Sequence, residues 1–164
     1  MRELKQQRIL DDEVGIHCSI FRQMEYVMPD FLDEAEIIAK GTSRGITFYV
    51  LSYGRHPCAY LDVGKTCLRK IKKIENPALQ ALDCHGGISY SENGLGRFVN
   101  KTKKHWVIGW DYNHGGDFDG RHPNYGGKKH RTGEIVKECL GVIDQIRQRK
   151  FRNLISAALV KIGL

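Results

Sequence analysis

Two short segments of the sequence combine histidine, aspartate and glycine residues: Cys84–Gly87 and Trp110–Asp117. Histidine and aspartate side chains that meet in space can bind a divalent metal ion, or act as an acid–base pair in which the carboxylate orients the imidazole. The candidate catalytic residues are therefore His85, Asp111, His114 and Asp117. Further candidates in the same glycine-rich region are Asp119, His122 and His130.

Each segment also has a purely structural interpretation. Gly86 and Gly87 let backbone N–H groups approach a ligand, but they equally permit the positive φ angles of a tight turn, and we favour the turn. Asp111 and His114 could hydrogen-bond to backbone groups of the loop, because buried polar groups need partners. For the second segment the structural and the functional interpretations both stay open.

The established metal and nucleotide signatures are absent from the sequence. It contains no H-x-H or H-E-x-x-H pair, no zinc-deaminase pattern, and no Walker or dinucleotide fingerprint. A divalent metal is a possible cofactor, but the sequence assigns no ligands to it. The possible nucleophiles Ser89, Ser91 and Cys84 are not supported by an elbow motif.

Aromatic and basic residues in the same regions fit a binding site. Tyr90, Trp110 and Tyr112 could stack on a nucleobase, or the aromatic rings could belong to the core. The cations that could hold phosphates are Arg55, Arg97, Lys128 and Arg131. The predicted ligand-binding set is His85, Gly86, Gly87, Tyr90, Trp110, Asp111, His114 and Arg131. The predicted nucleic-acid or partner-binding set is Arg147, Arg149, Lys150 and Arg152, for which a solvated helix surface is the favoured alternative.

Hydrophobic patterns predict the elements that position these residues. Residues 46–51 and 59–63 predict a hairpin across the turn at 53–57, and residues 87–90 and 105–110 predict two further strands. Residues 111–130 predict a long loop, and a short helix is predicted after Pro77. An amphipathic helix with Thr132 as its N-cap follows, with apolar positions Ile135, Val136, Cys139, Leu140, Ile143 and Ile146.

The sequence divides into a core and two extensions within one compact domain. Residues 1–45 predict an acidic helical segment, in which Ala35, Ile37 and Ile38 contribute to the apolar side of a helix and residues 41–45 form a loop. Residues 46–146 predict the core, and residues 147–164 a basic amphipathic helix. The predicted fold is α+β: a small antiparallel sheet of about four strands packed by a C-terminal helix, with helical N- and C-terminal extensions.

Charge is distributed unevenly along the 164 residues. The net charge is +7, but residues 1–40 carry a net −4 and the remainder a net +11. A basic body suggests a polyanionic partner, whereas the alternative is a plain solubility surface. No apolar run approaches the roughly 20 residues of a membrane span. The five cysteines form no C-x-x-C pair, and the N-terminus has no signal-peptide core, so we expect a cytoplasmic location in the host cell.

Four motifs in order resemble a family of short proteins from bacteriophages and prophages. They are Gly54–Leu61, His85–Ser91, Trp106–Asp117 and the Arg131-Thr132 step that opens a helix. The family pattern includes H-G-G-[IL]-[ST]-Y and W-x-G-[FW]-D-x-x-H-x-G-D, and the similarity covers roughly residues 46–146. This chain has Trp110 where Phe is usual, Asn113 where Ala is usual and Arg55-His56 where a Gly-His step is usual.

The resemblance implies a phage accessory protein directed against a host defence system, for example CRISPR–Cas. We expect an inhibitor that binds a protein, an RNA or a nucleotide without catalysis, because glycines, aromatic rings and cations are present while complete catalytic sets are not. One alternative is a metal-dependent hydrolase of a nucleotide or phosphoester that uses the His/Asp cluster. A second is a sponge that sequesters a nucleotide immune signal. The oligomeric state is not predicted.

Overall fold

The structure, a computed structural model, describes residues 35–120, 122 and 126–161, without the side chains of residues 149, 150, 152, 158 and 161. Five strands form one antiparallel sheet: β1 (Glu36–Ser43), β2 (Ile46–Ser52), β3 (Pro57–Asp62), β4 (Tyr90–Glu92) and β5 (Val107–Asp111). The helices are α1 (Pro77–Gln80), α2 (Thr132–Arg147) and α3 (Arg149–Lys161), with a 3₁₀ turn at Cys67–Lys70. The α+β prediction is confirmed.

The prediction that Ile37 and Ile38 lie on a helix is wrong, because this segment is strand β1. It pairs with β2 along its whole length, from Glu36 opposite Ser52 to Ser43 opposite Ile46. Arg44 and Gly45, with φ of 48° and 76°, make the two-residue turn that joins the two strands. Cross-strand pairing decides the conformation here, and the sheet has five strands rather than about four. The rest of the predicted N-terminal helical segment lies outside the described residues.

The strand order is β1-β2-β3-β5-β4, and both faces of the central strands are covered. Val50, Ala59 and Trp110 lie on one face, which packs against α2 and α3. Tyr49, Cys58 and Tyr60 lie on the other face, beneath residues 95–99. We call these the helix face and the tyrosine face. Because side chains alternate along each strand, neighbouring residues such as Trp110 and Asp111 point to opposite faces.

Helix α2 covers the helix face of the sheet, and α3 packs against α2, α1 and the 3₁₀ turn. α2 buries Ile135, Cys139 and Ile143 and packs across β1, β2 and β3. The N-cap of α2 is Arg131, one residue before the predicted Thr132, and the Glu134 carboxylate accepts the Arg131 N–H at 3.1 Å. The predicted hairpin, the short helix after Pro77 and the helix over residues 149–161 are all present. Within the described part of the chain, no helix is both long and apolar enough to cross a membrane.

Candidate functional site

Three polar side chains from separate segments meet at the edge of the helix face: His85, Asp117 and His130. The Nε2 atom of His85 lies 2.7 Å from Oδ2 of Asp117, and Nε2 of His130 lies 2.9 Å from Oδ1 of the same carboxylate. The two imidazole rings are 4.7 Å apart, edge to face. The Asp117 and His130 side chains are only 5% and 9% exposed, whereas His85 is 28% exposed. We call these three residues the histidine cluster.

His85 is held in place by the turn before β4 and by helix α2. Its backbone N–H donates a hydrogen bond to the Glu138 carboxylate, and its ring stacks on Tyr112 at 4.8 Å with an interplanar angle of 9°. Gly86 and Gly87 both have positive φ, and Gly87 N–H donates to Cys84 C=O, so the predicted tight turn is confirmed. The paired glycines shape the chain around His85.

Asp117 and His130 are brought together by pairing within the long loop. Lys128 N–H donates to Gly116 C=O at 2.8 Å, and Phe118 N–H donates to Lys128 C=O at 3.1 Å. This short parallel bridge places the segment before α2 beside the segment after β5. Residues 13 apart in the sequence thereby face each other, which the spacing of the residues alone does not reveal.

The environment of Asp117 favours its ionised form. Burial acts to raise the pKa of its carboxyl, but the hydrogen bonds from His85, from the backbone N–H of His114 and from His130 outweigh burial and lower the pKa to about 2. The carboxylate therefore carries its negative charge throughout the physiological range of pH. It can compensate imidazolium charge or bind a cation.

A chain of hydrogen bonds supports the histidine cluster from the core. The Trp110 indole N–H donates to the Tyr112 hydroxyl at 3.1 Å, and that hydroxyl donates to the Glu138 carboxylate at 2.7 Å. Burial, together with the bond to Glu138, raises the pKa of Tyr112 above its ordinary value. Trp110 is 1% exposed on the helix face, so its indole is unavailable for the predicted stacking on a ligand.

Asp111 and His114 lie between the histidine cluster and the tyrosine face. Asp111 accepts a hydrogen bond from the Ser89 hydroxyl at 2.9 Å and another from the Asn113 N–H at 3.2 Å. Its Oδ1 atom is 3.7 Å from Nε2 of His114, and the His114 ring is 5.2 Å from the ring of His85. Among the described residues, Nε2 of His114 is buried without a hydrogen-bond partner.

A cleft of about 480 Å³ opens on the tyrosine face, at the same end of the sheet. Its lining includes Tyr53, Arg55, Tyr60, Ser89, Tyr90 and Asp111. The hydroxyls of Tyr53 and Tyr60 are 2.8 Å apart, and the Tyr60 and Tyr90 rings meet edge to face at 5.3 Å. We call this surface the tyrosine cleft. It offers aromatic ring surface beside hydroxyl and carboxylate groups.

A second cavity of about 270 Å³ adjoins the cleft, since Arg55 and His56 line both. The far side of this cavity is formed by Lys128, Lys129 and His130. Basic groups therefore extend from the rim of the tyrosine cleft to the outer surface of the histidine cluster. An anionic ligand that extended from one cavity into the other would meet positive charge along this path.

None of the suggested nucleophiles has the surroundings of one. Burial, with Glu138 nearby, raises the pKa of the Cys84 thiol to about 12. The Ser89 hydroxyl donates to Asp111, and the Ser91 hydroxyl accepts the Trp106 indole N–H at 3.0 Å. The cysteine thiolate is the reactive form, and the raised pKa of Cys84 disfavours it at neutral pH.

The structure brings His85, Asp111, His114 and Asp117 into one neighbourhood, and Tyr90 lines the adjoining cleft. Arg131 is instead the N-cap of α2. Two other predicted cations have structural contacts. Arg97 donates to Ala35 C=O, and Arg147 donates to Arg44 C=O. The side chains of Arg149, Lys150 and Arg152 lie outside the described atoms.

Sequence reasoning named His130 only as a further candidate and missed Glu138, Tyr53 and Tyr60. For Glu138 the sequence contains one signal. This residue lies on the predicted helix α2, directly before the buried Cys139. The alternation along β3 places Tyr60 beside Cys58 on one face. Comparison of the chain with protein-family models, curated proteins and solved structures gives no match. Function must therefore be argued from the geometry of the two sites.

Proposed function

We propose that the protein binds a nucleotide-type anion in the tyrosine cleft, without converting it. The observation that carries this proposal is the cleft of about 480 Å³, in which tyrosine rings lie beside Arg55 and lead into a second, basic cavity. Ligand pockets for small molecules are typically about 300–1,000 Å³ in volume and combine aromatic walls with a few polar groups. The tyrosine cleft has this size and this composition.

The base and sugar fit the aromatic part of the cleft. Tyr53 and Tyr90 are half-buried, so each keeps part of its ring surface for contact with a planar base. Stacking of a base on an aromatic side chain contributes about 1–3 kcal/mol. The hydroxyl of Ser89 and the carboxylate of Asp111 lie at the edge of the cleft, where they can bond ring nitrogens or sugar hydroxyls.

The phosphates fit the basic path out of the cleft. Arg55 is exposed at the junction of the two cavities, and a guanidinium can bind a phosphate through two parallel hydrogen bonds. Lys128 and Lys129 supply further positive charge in the second cavity. Lys128 also lies 3.7 Å from Glu134, an exposed pair that a phosphate can displace at small cost.

The resemblance to phage proteins supports a biological setting for this binding. A phage accessory protein that captures a nucleotide immune signal would stop a host defence system before its effector responds. The tyrosine cleft supports this sponge mechanism more directly than binding of RNA or protein through residues 147–152, because Arg147 is engaged with the backbone of Arg44. We therefore place the anti-defence activity in the cleft.

The test is calorimetric titration of the untagged protein with a panel of mono-, di- and cyclic nucleotides. We expect binding that weakens at least 10-fold in Arg55→Ala and in Tyr90→Ala. Arg69→Ala is the matched control, because Arg69 is also exposed but lines a separate cavity beside Trp106. Loss of binding in Arg69→Ala with unchanged binding in Arg55→Ala would overturn the proposal, as would the absence of any nucleotide binding.

The same samples separate capture from catalysis. Chromatography of the nucleotide after incubation should recover it intact, and denaturing the complex should release it unchanged. Hydrolysis that is lost in Arg55→Ala would show that the cleft belongs to an enzyme, and would contradict a purely binding role.

A further inference from the structure

The histidine cluster presents three metal-ligand atoms at one point. One nitrogen of His85, one carboxylate oxygen of Asp117 and one nitrogen of His130 all lie within 4.8 Å of one another. They come from the turn before β4, from the loop after β5 and from the residue next to the N-cap of α2. We propose that His85, Asp117 and His130 form a binding site for a divalent transition-metal ion. This site is distinct from the tyrosine cleft and does not depend on nucleotide binding there.

The donor types identify the class of ion. Two imidazole nitrogens with one carboxylate oxygen suit Zn²⁺, Fe²⁺, Co²⁺ or Mn²⁺, whereas Ca²⁺ and Mg²⁺ take mainly oxygen ligands. In such a site each imidazole binds the ion through Nε2 and keeps its proton on Nδ1. The ion then replaces the two hydrogen bonds to Asp117, with ligand bonds of about 2.0–2.2 Å.

Contacts around the cluster orient its ligands before any ion binds. The backbone N–H of His114 donates to Oδ2 of Asp117 at 2.9 Å, which fixes the carboxylate. The ring of Tyr112 stacks on His85 and lies 4.7 Å from the ring of His130, so it packs against both imidazoles. Outer contacts of this kind commonly raise metal affinity by about 10–100-fold.

The cluster adjoins a cavity on the side of Asp117. A cavity of about 670 Å³, lined in part by His114, Gly116, Asp117 and Gly127, opens beside it. Three protein ligands leave the fourth position of a tetrahedral ion to water or to an external ligand. His114 also lines this cavity, and its ring lies 5.2 Å from the ring of His85.

A second explanation of the same geometry is a metal-free network in which Asp117 simply holds two histidines. The two explanations differ in ion affinity, and the chain supplies a matched control. His105 forms a comparable histidine–aspartate contact with Asp62 at 2.6 Å, but no second histidine in the described part of the chain shares that carboxylate. Replacing His105 removes one imidazole from the protein without touching the proposed site.

The experiment uses the untagged full-length chain, stripped with a chelator and titrated with Zn²⁺ and Co²⁺ against a chromophoric competitor. We expect one ion per chain, and a Co²⁺ absorption spectrum typical of four-coordination. His130→Ala and His85→Gln should each lower Zn²⁺ affinity at least 100-fold, and Asp117→Asn at least 10-fold, while His105→Ala leaves it unchanged. Circular dichroism in chelator confirms that each variant folds.

Three outcomes would overturn the proposal. They are the absence of a stoichiometric ion from the folded wild type, wild-type affinity in the cluster variants, and a loss of affinity in His105→Ala as large as that in His130→Ala. Failure of nucleotide binding in the cleft leaves this site unaffected, because the ion is titrated alone. The Asp117→Asn variant keeps the shape of the side chain, so the conclusion does not depend on a truncated residue.

Discussion

The histidine cluster and the tyrosine cleft lie on opposite faces of the sheet at the same end, and they are built in different ways. The cluster draws its residues from three segments joined by hydrogen bonds to Asp117 and Glu138. The cleft is built on β3 and the turn that precedes it, together with residues at β4 and at the end of β5, and it has polar groups at an open rim. The cluster is closed by polar contacts among its own residues, apart from the cavity beside Asp117, whereas the cleft opens to solvent.

This difference predicts how each region responds to substitution. Buried polar groups that satisfy one another contribute to folding, and removing one partner leaves the other unpaired. Groups at an open rim keep access to water, so their removal alters binding more than stability. Substitutions in the cluster should therefore lower the free energy of unfolding, whereas substitutions in the cleft should leave it nearly unchanged.

The largest expected effect follows the loss of Glu138. Its carboxylate accepts the His85 N–H and the Tyr112 hydroxyl, and Glu138→Ala leaves both donors without this partner. We expect the free energy of unfolding to fall by about 3 kcal/mol, since hydrogen bonds to charged groups contribute about 1.5–3 kcal/mol each. Urea unfolding in the presence of a chelator measures the loss.

Two tyrosine variants provide the comparison across the sheet. Tyr112→Phe removes one of the two bonds to Glu138 and the acceptor of the Trp110 indole N–H, and should cost about 2 kcal/mol, while Tyr53→Phe removes the hydroxyl contact with Tyr60 in the open cleft. We expect a smaller loss of stability from Tyr53→Phe. If it destabilised the protein more than Tyr112→Phe, the contrast between a closed and an open region would be wrong.

The sequence predicted those elements that follow from local patterns and missed one that depends on strand pairing. The hairpin of β2 and β3 and the helix α2 follow from hydrophobic periodicity, so they were predictable. Strand β1 was not, because Ile37 and Ile38 suit either a helix or a strand, and pairing with β2 decides between them. The turn through Arg44 and Gly45 was the local signal for that hairpin.

Prediction of the site from the sequence was limited for the same reason: contacts between separate segments decide which residues meet. The H-G-G motif indicated the turn at His85, and the contact between His85 and Asp117 brings the two candidate segments together. The inclusion of His130 depends on the bridge between Gly116–Phe118 and Lys128, which no periodicity encodes. The interior position of Trp110 does follow from strand alternation once the register with Ala59 is known.

A loss of similar size is expected at Gly86, where backbone and packing act together. Gly86 has φ of +64°, and a Cβ atom there would lie 1.8 Å from Nε2 of His114. Gly86→Ala should destabilise the protein by about 2 kcal/mol, of which about 1 kcal/mol is the left-handed backbone and the rest the displacement of the His114 ring. Thermal and urea unfolding measure this loss.

Gly54, in the turn beside the tyrosine cleft, is the matched control for that substitution. Its φ is +74°, but nothing lies within 4 Å of the position of a Cβ atom. Gly54→Ala should therefore cost only the backbone contribution of about 1 kcal/mol. Equal losses for the two variants would show that His114 moves freely, and would weaken its assignment as a fixed neighbour of the histidine cluster.

The smallest expected effect is on thiol chemistry, and it tests whether either region holds a reactive cysteine. Three cysteines have a thiol pKa of about 12, and burial is the largest cause of the increase in each case. They are Cys58 beneath the cleft, and Cys84 and Cys139 beside the cluster. Cys67, in the 3₁₀ turn, is exposed. The fraction of thiolate at pH 8 is then very small at the three buried positions.

Mass-spectrometric mapping after brief alkylation of the native protein should find Cys67 modified first among these four, with no change in the free energy of unfolding. Denatured protein, in which all of them react, is the control for reagent access. Rapid native labelling of Cys84 would mean that the turn at His85 opens readily or holds a thiolate. Either result would place a nucleophile beside the histidine cluster and reverse the contrast, because the cluster would then be the chemically open region of the molecule.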